Sequence, residues 1–556
     1  MNQLTNGDKI VFLIYFLIVA LYGWWVYKRK HNADATSKDY FLAEGSLTWW
    51  AIGASLIASN ISAEQMIGMS GSGFKMGLAI ATYEWMAAGT LIVVAVFFIP
   101  VYLKNKIFTM PQFLNQRYNG TVAMIMAIFW LLLYVIVNLT SILFLGALAI
   151  HTISGYDLDL CIWFLAIFAI IITLGGMKVI GYTDVIQVFF LILGGLVTTY
   201  IAINMVADHS GTHGILNGLK IMSTQASDHF HMILKKDNPN YIDLPGLTVL
   251  IGGMWIVNLN YWGCNQYITQ RALGANLKTA RGGILFAAFL KLLMPVIVVL
   301  PGIAAFILYR QDVLGFHTQM GIGSDLNPDR SYPVLLNLLP TGLKGLSFAA
   351  LTAAVVASLA GKANSIATIF TLDIYKKFKT DIDDRKTVRV GKITVVVAMI
   401  LGILICKHLG IDKKGGFQYI QEYTGFVSPG IFAMFILGFF WKKATSNAAL
   451  FATIGGFAFS VFFKFLPMFA NLSFLAPTGF AVNNAGVYEI PFLDRMGFVF
   501  IICIIGMYMI SMLENAKGDR AHGLEVDSSM FKTNRGFTIG AVIVVTVLTV
   551  LYTYFW

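Results

Sequence analysis

The sequence predicts an all-α polytopic membrane protein with about fourteen transmembrane helices. Two observations carry that class. Of the 556 residues, 57% are hydrophobic and 12% charged, and the mean hydropathy is +0.73. The apolar residues also fall in long runs separated by short polar loops, which is the pattern of repeated bilayer crossings. A third observation concerns function. Two of the runs carry clusters of polar residues at a depth where such groups are costly unless they face protein or water.

The runs lie at residues 9–27, 49–74, 78–103, 121–151, 159–177, 182–206 and 246–268, then 282–309, 346–375, 389–410, 417–440, 445–466, 490–513 and 536–556. The first is followed by Lys28, Arg29 and Lys30, the reverse of a signal peptide's charge order, so it reads as a retained helix. The second contains the stretch from Ser55 to Gly73, with Ser59, Asn60, Ser62, Glu64 and Gln65 at its centre. Serine and asparagine compete with helical hydrogen bonds, so a broken helix is expected there, its freed backbone groups lining a cavity. The third to sixth runs complete a set of five. The seventh opens a second set of five with Asn258-Leu259-Asn260-Tyr261-Trp262-Gly263, where a matching break is expected. Because five is odd, the second set runs upside down relative to the first. Paired interrupted segments in two such halves point to a solute site at their interface. The expected organisation is 1–48, an extra helix and a loop; 49–206, the first repeat; 207–245, an external loop; 246–440, the second repeat; and 441–556, three further helices. Loops 207–245 and 310–345 have room for short helices and little more.

Lys and Arg concentrate in the alternate loops that include residues 28–30 and 376–392. The positive-inside rule makes those loops cytoplasmic and puts both termini outside, in a cell (inner) membrane. The net charge of +11 is thereby used for orientation, and nucleic acid is not an expected partner. Cys161, Cys264, Cys406 and Cys503 all fall in apolar runs without metal spacing and read as packing residues. No nucleophile motif, nucleotide loop or His/Cys/Asp metal cluster is visible, which argues against an enzyme. No obligate protein partner is evident.

Several long motifs are familiar: ASNISAEQMIGMSGSG at 58–73, YEWM at 83–86, YTDVIQVFF at 182–190, NYWGCNQYITQR at 260–271, FAAFLK at 286–291, NSIATIFTLDIY at 364–375 and FQYIQEYTGFVSPG at 417–430. The sequence resembles the solute:sodium symporter family, in its sodium/glucose cotransporter group, nearly end to end. The resemblance implies the LeuT-type fold, a 5+5 inverted-repeat core with one helix before it and three after. It implies a secondary active transporter for a monosaccharide such as galactose or glucose, coupled to sodium. Gln65, Glu84, Asn258, Lys291 and Gln421 match positions that hydrogen-bond the sugar in that family. Asn60 and Tyr261 match an inner-gate pair, and Met69, Tyr83 and Phe417 an outer hydrophobic lid. Each residue also has a plainer reading, as interhelical glue or core packing. A serine of the family's sugar site falls at Ala87, which removes one hydroxyl contact.

The family's sodium ligands map to the carbonyls of Ala58, Ile61 and Ala354 and the hydroxyl of Ser358. A second hydroxyl maps to Ala357, which has none, and Lys362 stands four residues beyond Ser358 in place of an apolar residue. One helical turn separates the two, so they share a face. Asp184 matches an aspartate on the sodium exit path, and Lys362 is expected to pair with it, to reach toward the lost ligand position, or to snorkel to the cytoplasmic interface while sodium binds with water in place of the lost hydroxyl. Two alternatives stay open at this point. One is a proton-coupled or uniporting sugar carrier in which Lys362 substitutes for the cation. The other is a transporter-like sugar sensor.

Overall fold

Each of the fourteen apolar runs overlaps a helix, as required where backbone groups in lipid have no water to bond. The computed structural model describes residues 4–29, 48–107, 109–174, 177–322, 325–379, 383–408, 415–516 and 523–556. In chain order the principal helices of the first half are α1 (Asn6–Arg29), α2 (Trp49–Asn60), α3 (Met69–Met76), α4 (Thr82–Val93), α5 (Gly120–Leu132), α6 (Thr140–Ser154), α7 (Leu158–Leu174) and α8 (Met177–His209), followed by the loop helix α9 (Ile215–Gln225). The second half contributes α10 (Gly253–Cys264), α11 (Gln266–Leu273), α12 (Leu277–Val298), α13 (Leu300–Arg310), α14 (Leu343–Thr368), α15 (Asp384–Cys406), α16 (Gly416–Thr424) and α17 (Ser428–Phe440). Helices α18 (Gly456–Phe465), α19 (Phe492–Ala516) and α20 (Arg535–Tyr554) follow.

Among the described residues, nine helices are long and apolar enough to span a bilayer, or ten if α16 and α17, bent by 50°, count as one. The expected fourteen segments exceed that number because some fold as broken pairs or as shorter helices. α2 and α3 divide the second segment, α10 and α11 the seventh, and α7 has 17 residues. Loop 310–345 holds short helices and a two-residue hairpin, Gly321–Ile322 against Asp325–Leu326.

The break after α2 falls where the polar cluster predicts it. Ile61 leaves the helix at φ −72° and ψ 108°, while its amide still bonds the Ile57 carbonyl at 2.8 Å. The ladder restarts with Gln65 and Met66, whose amides both reach the Ser62 carbonyl at 3.1 Å, and so it passes over the carbonyls of Ala58 and Ile61. A single π-helical turn, Glu64–Gly68, then leads into α3. The second break does not fall where expected. Residues 258–263 lie inside the continuous α10, and the chain departs from helix at Asn265, with φ −101° and ψ 120°. The Asn265 side chain accepts from the Tyr267 amide at 3.1 Å, capping α11 as it starts. A cap residue of this kind offers its helix a new beginning, so it is the better break signal.

Close packing braces the broken helix. Gly53 of α2 meets Gly283 of α12 so tightly that a Cβ on Gly53 would sit 2.6 Å from the Gly283 carbonyl oxygen. Small residues at such contacts let backbones approach in a membrane. α1 packs along α14 and ties to its start. Asp8 Oδ1 accepts from the amides of Gly342 at 2.7 Å and Gly345 at 3.1 Å, placing a carboxylate at a helix N-terminus. The outer faces carry exposed apolar side chains such as Leu13, Leu17, Phe189, Ile505 and Val542, a surface that lipid covers.

Candidate functional site

One cavity of about 100 Å³ opens at the first helix break, between α2, α4, α10, α12, α14 and α16. Its wall includes Asn60, Gln65, Glu84, Asn258, Lys291 and Gln421, the residues drawn together from five different apolar runs. Asn60 is the hub. As the last residue of α2, it projects where the backbone turns away. Its Oδ1 accepts from the Lys291 ammonium and from Gln65 Nε2 at 3.5 Å, and its Nδ2 donates to the Tyr261 hydroxyl at 3.2 Å. Glu84 closes the cluster, accepting from Lys291 at 2.5 Å on Oε2 and from Gln65 at 3.1 Å on Oε1. The pair is almost fully buried, with Lys291 1% and Glu84 2% exposed at the side chain. A buried ion pair persists only where further hydrogen bonds satisfy both partners, and Asn60 and Gln65 supply them. The Lys291 ammonium also lies 5.2 Å from the centre of the Trp262 ring. Asn258 folds back, donating to the Met254 carbonyl of its own helix at 3.2 Å.

Of the three residues matched to the lid, Tyr83 and Phe417 line the cavity. The rings of Tyr83 and Phe417 meet edge to face with centroids 4.9 Å apart and cap the cavity. Met69 is fully buried and does not line it. Asp329 from loop 310–345 accepts at Oδ2 from the Gly416 amide, which starts α16, at 2.7 Å. Its other oxygen fills the space beside Gly71 of α3, where a Cβ would lie 2.3 Å from Oδ1. One loop carboxylate therefore touches both α3 and α16, the helix that carries Phe417.

Sequence reasoning missed part of the wall. Asn260 donates to the Ser428 hydroxyl at 3.2 Å, leaving its Oδ1 buried without a partner. Gln65 Oε1 and Thr424 Oγ1 are likewise buried, unpartnered, and on the cavity wall. Polar residues recurring inside apolar runs were the available signal, but one sequence does not tell which of them converge. These orphan groups remain free to take up further hydrogen-bond partners from the cavity.

Of the residues matched to sodium, Ser358 lines the cavity, whereas Ala58, Ile61 and Ala354 do not. Ala357 on α14 presents only a methyl group. The expected contact of Lys362 with Asp184 falls on an aspartate whose side chain lies outside the described residues. Lys362 has other partners. Its ammonium donates to Asn138 Oδ1 at 3.4 Å and lies 4.8 Å from the centres of both the Tyr134 and Tyr267 rings.

Compared with known proteins, residues 40–456 match the model of the sodium:solute symporter family. The chain belongs to that family. The symporter is 47% identical, over all of both chains, to the sodium/glucose cotransporter of Vibrio parahaemolyticus. It is 34% identical to the human sodium/myo-inositol cotransporter 2 over 82% of its own length and 69% of that relative's. Among solved structures, a substrate-bound outward-open sodium-coupled sialic acid symporter superposes with a TM-score of 0.73 at 22% identity, covering 94% of the symporter and 100% of that chain. The likeness fixes the fold as the LeuT-type inverted-repeat core expected from the sequence. The symporter is a multi-pass membrane protein and a transporter, not an enzyme.

Proposed function

We propose that this symporter imports a monosaccharide of the glucose or galactose kind by alternating access, driven by sodium. The carrying observation is the Lys291–Glu84–Asn60–Gln65 cluster in a cavity at a broken helix, beside unpartnered polar atoms of Asn260 and Thr424. A hexose offers a ring of hydroxyls that both donate and accept, and a weakly apolar face that suits Tyr261. The full-length likeness to a sodium/glucose cotransporter supports the same solute class.

Sodium takes hard oxygen ligands, and the carbonyls of Ala58 and Ile61, left out of the helical ladder, suit it. With Ala354 and Ser358 they would hold the ion between α2 and α14, with one hydroxyl fewer than the family pattern because of Ala357. Sodium there braces the broken helix and presents Asn60 and Gln65 to the sugar, so each solute tightens the other. The Tyr83–Phe417 lid then closes over the sugar, and loss of the Asn60–Tyr261 hydrogen bond opens the opposite side. The basic loop 376–392 supports a cytoplasmic placement of that opposite side, with both termini external in the cell membrane. The domain boundaries read from the sequence belong to the same proposal.

Uptake of labelled glucose, galactose and myo-inositol into proteoliposomes, with a sodium gradient and with choline in its place, tests this. Sodium-dependent accumulation of one of the sugars is expected. Saturable sugar binding without flux would overturn the transporter reading in favour of a sensor.

A further inference from the structure

Lys362 is 7% exposed on α14 and is left over when the sugar cluster is accounted for. Its surroundings are specific. The ammonium sits between the faces of Tyr134 and Tyr267, an arrangement that holds a cation by ring electrostatics. The box is itself pinned. The Tyr134 hydroxyl donates to Asn265 Oδ1 at 2.7 Å, and the Arg271 guanidinium lies 4.8 Å from the centre of the Tyr267 ring while donating to Ser55 Oγ at 2.8 Å. Glu64, on the first turn after the α2 break, interacts electrostatically with Lys362, and its Oε1 is buried without a hydrogen-bond partner. Both residues line the sugar cavity together with Ser358.

The chain thus carries its own monovalent cation, one helical turn from the hydroxyl that would hold sodium, and a carboxylate on the facing element that partly offsets it. We propose that Lys362 and Glu64 form a tethered charge pair that sets the sodium affinity of this symporter, the lysine weakening sodium binding and the glutamate strengthening it. The inference rests on the sodium-coupled reading above. Two like charges within one small cavity repel strongly enough to change affinity by about tenfold.

The test is equilibrium sodium titration of the purified protein with sugar present, read by the fluorescence of Trp130 and Trp262 on the cavity wall. Sugar titration in parallel shows that each variant is folded. Lys362→Met is expected to bind sodium about tenfold more tightly than wild type, and Glu64→Gln more weakly, while Lys362→Arg stays near wild type. The neutralised double variant, Lys362→Met with Glu64→Gln, is expected between the two single variants and serves if either single variant fails to fold. Equal sodium midpoints in wild type, Lys362→Met and the double variant would overturn the charge-pair proposal while leaving sodium coupling intact. A sodium response in Lys362→Met but not in wild type would support the charge pair and overturn sodium coupling of the natural protein. Sugar binding indifferent to sodium in every variant would overturn both.

Discussion

Lys291 of α12 and Glu84 of α4 pair directly on the cavity wall, and the same ammonium also reaches the Asn60 side chain at the end of α2. One ammonium therefore links three helices through a pair of opposite charges sealed from water. Removing one partner of a buried pair costs about 3–5 kcal/mol because the other is stranded, whereas removing both is often near neutral. Glu84→Gln and Lys291→Met are expected to lower the thermal midpoint in detergent and abolish sugar binding. The double variant should regain much of the midpoint and none of the binding. A double variant as unstable as either single variant would show that the pair's charge does not limit stability.

In the proposed cycle Tyr261 is the inner gate, and its hydroxyl accepts one hydrogen bond from Asn60 Nδ2 at 3.2 Å. A net hydrogen bond of this kind contributes about 1 kcal/mol, so Tyr261→Phe should raise the rate of sugar release by roughly fivefold with the ring packing intact. Efflux from preloaded proteoliposomes measures it. An unchanged rate would remove the hydroxyl from the gate.

Gly68 packs against Phe417 of the proposed lid, where an added Cβ would stand 2.9 Å from the Phe417 amide nitrogen, a backbone atom with little room to give. Gly68→Ala should hold Phe417 away from Tyr83. Overpacking of this size costs about 1–3 kcal/mol, so sugar uptake should fall by about tenfold or more while equilibrium binding in detergent survives. Normal uptake by the variant would mean that the lid does not close tightly during transport.

Asp329 gives a dependence on pH. Burial pushes its carboxyl up to about 7, opposed by the Gly416 amide and by Lys75. A carboxyl raised in the folded state favours folding fully below its unfolded value near 4, and that contribution is lost as pH rises through about 7. The added proton has a site at Oδ1, since Oδ2 is already engaged by Gly416. The midpoint of thermal unfolding should therefore carry a component that falls between about pH 4 and 7 and is absent in Asp329→Asn. Identical pH profiles for the two proteins would assign the effect elsewhere.

The membrane class and the first helix break were legible because polarity inside an apolar run is costly and therefore informative. The run from Ser59 to Gln65 announced both its break and its cavity. The second break was misplaced because Asn258, Asn260 and Asn265 are equally polar on paper. Only the backbone at Asn265 distinguishes a helix cap from residues facing a cavity. The partners of Lys362 were not legible. Tyr134 and Asn138 come from the fourth run and Tyr267 from the seventh, and proximity between distant segments leaves no trace in a single chain.

The placement of that second break has a mechanical consequence. The rod from Gln266 to Leu273 joins α10 at the non-helical Asn265, and it carries Tyr267, one wall of the lysine box, together with Arg271, which donates to Ser55 midway along the first broken helix. A swing of this two-turn lever would loosen Lys362 and let go of Ser55 in one stroke. In the proposed cycle, release of the sugar and the surroundings of Lys362 would then be geared to a single joint.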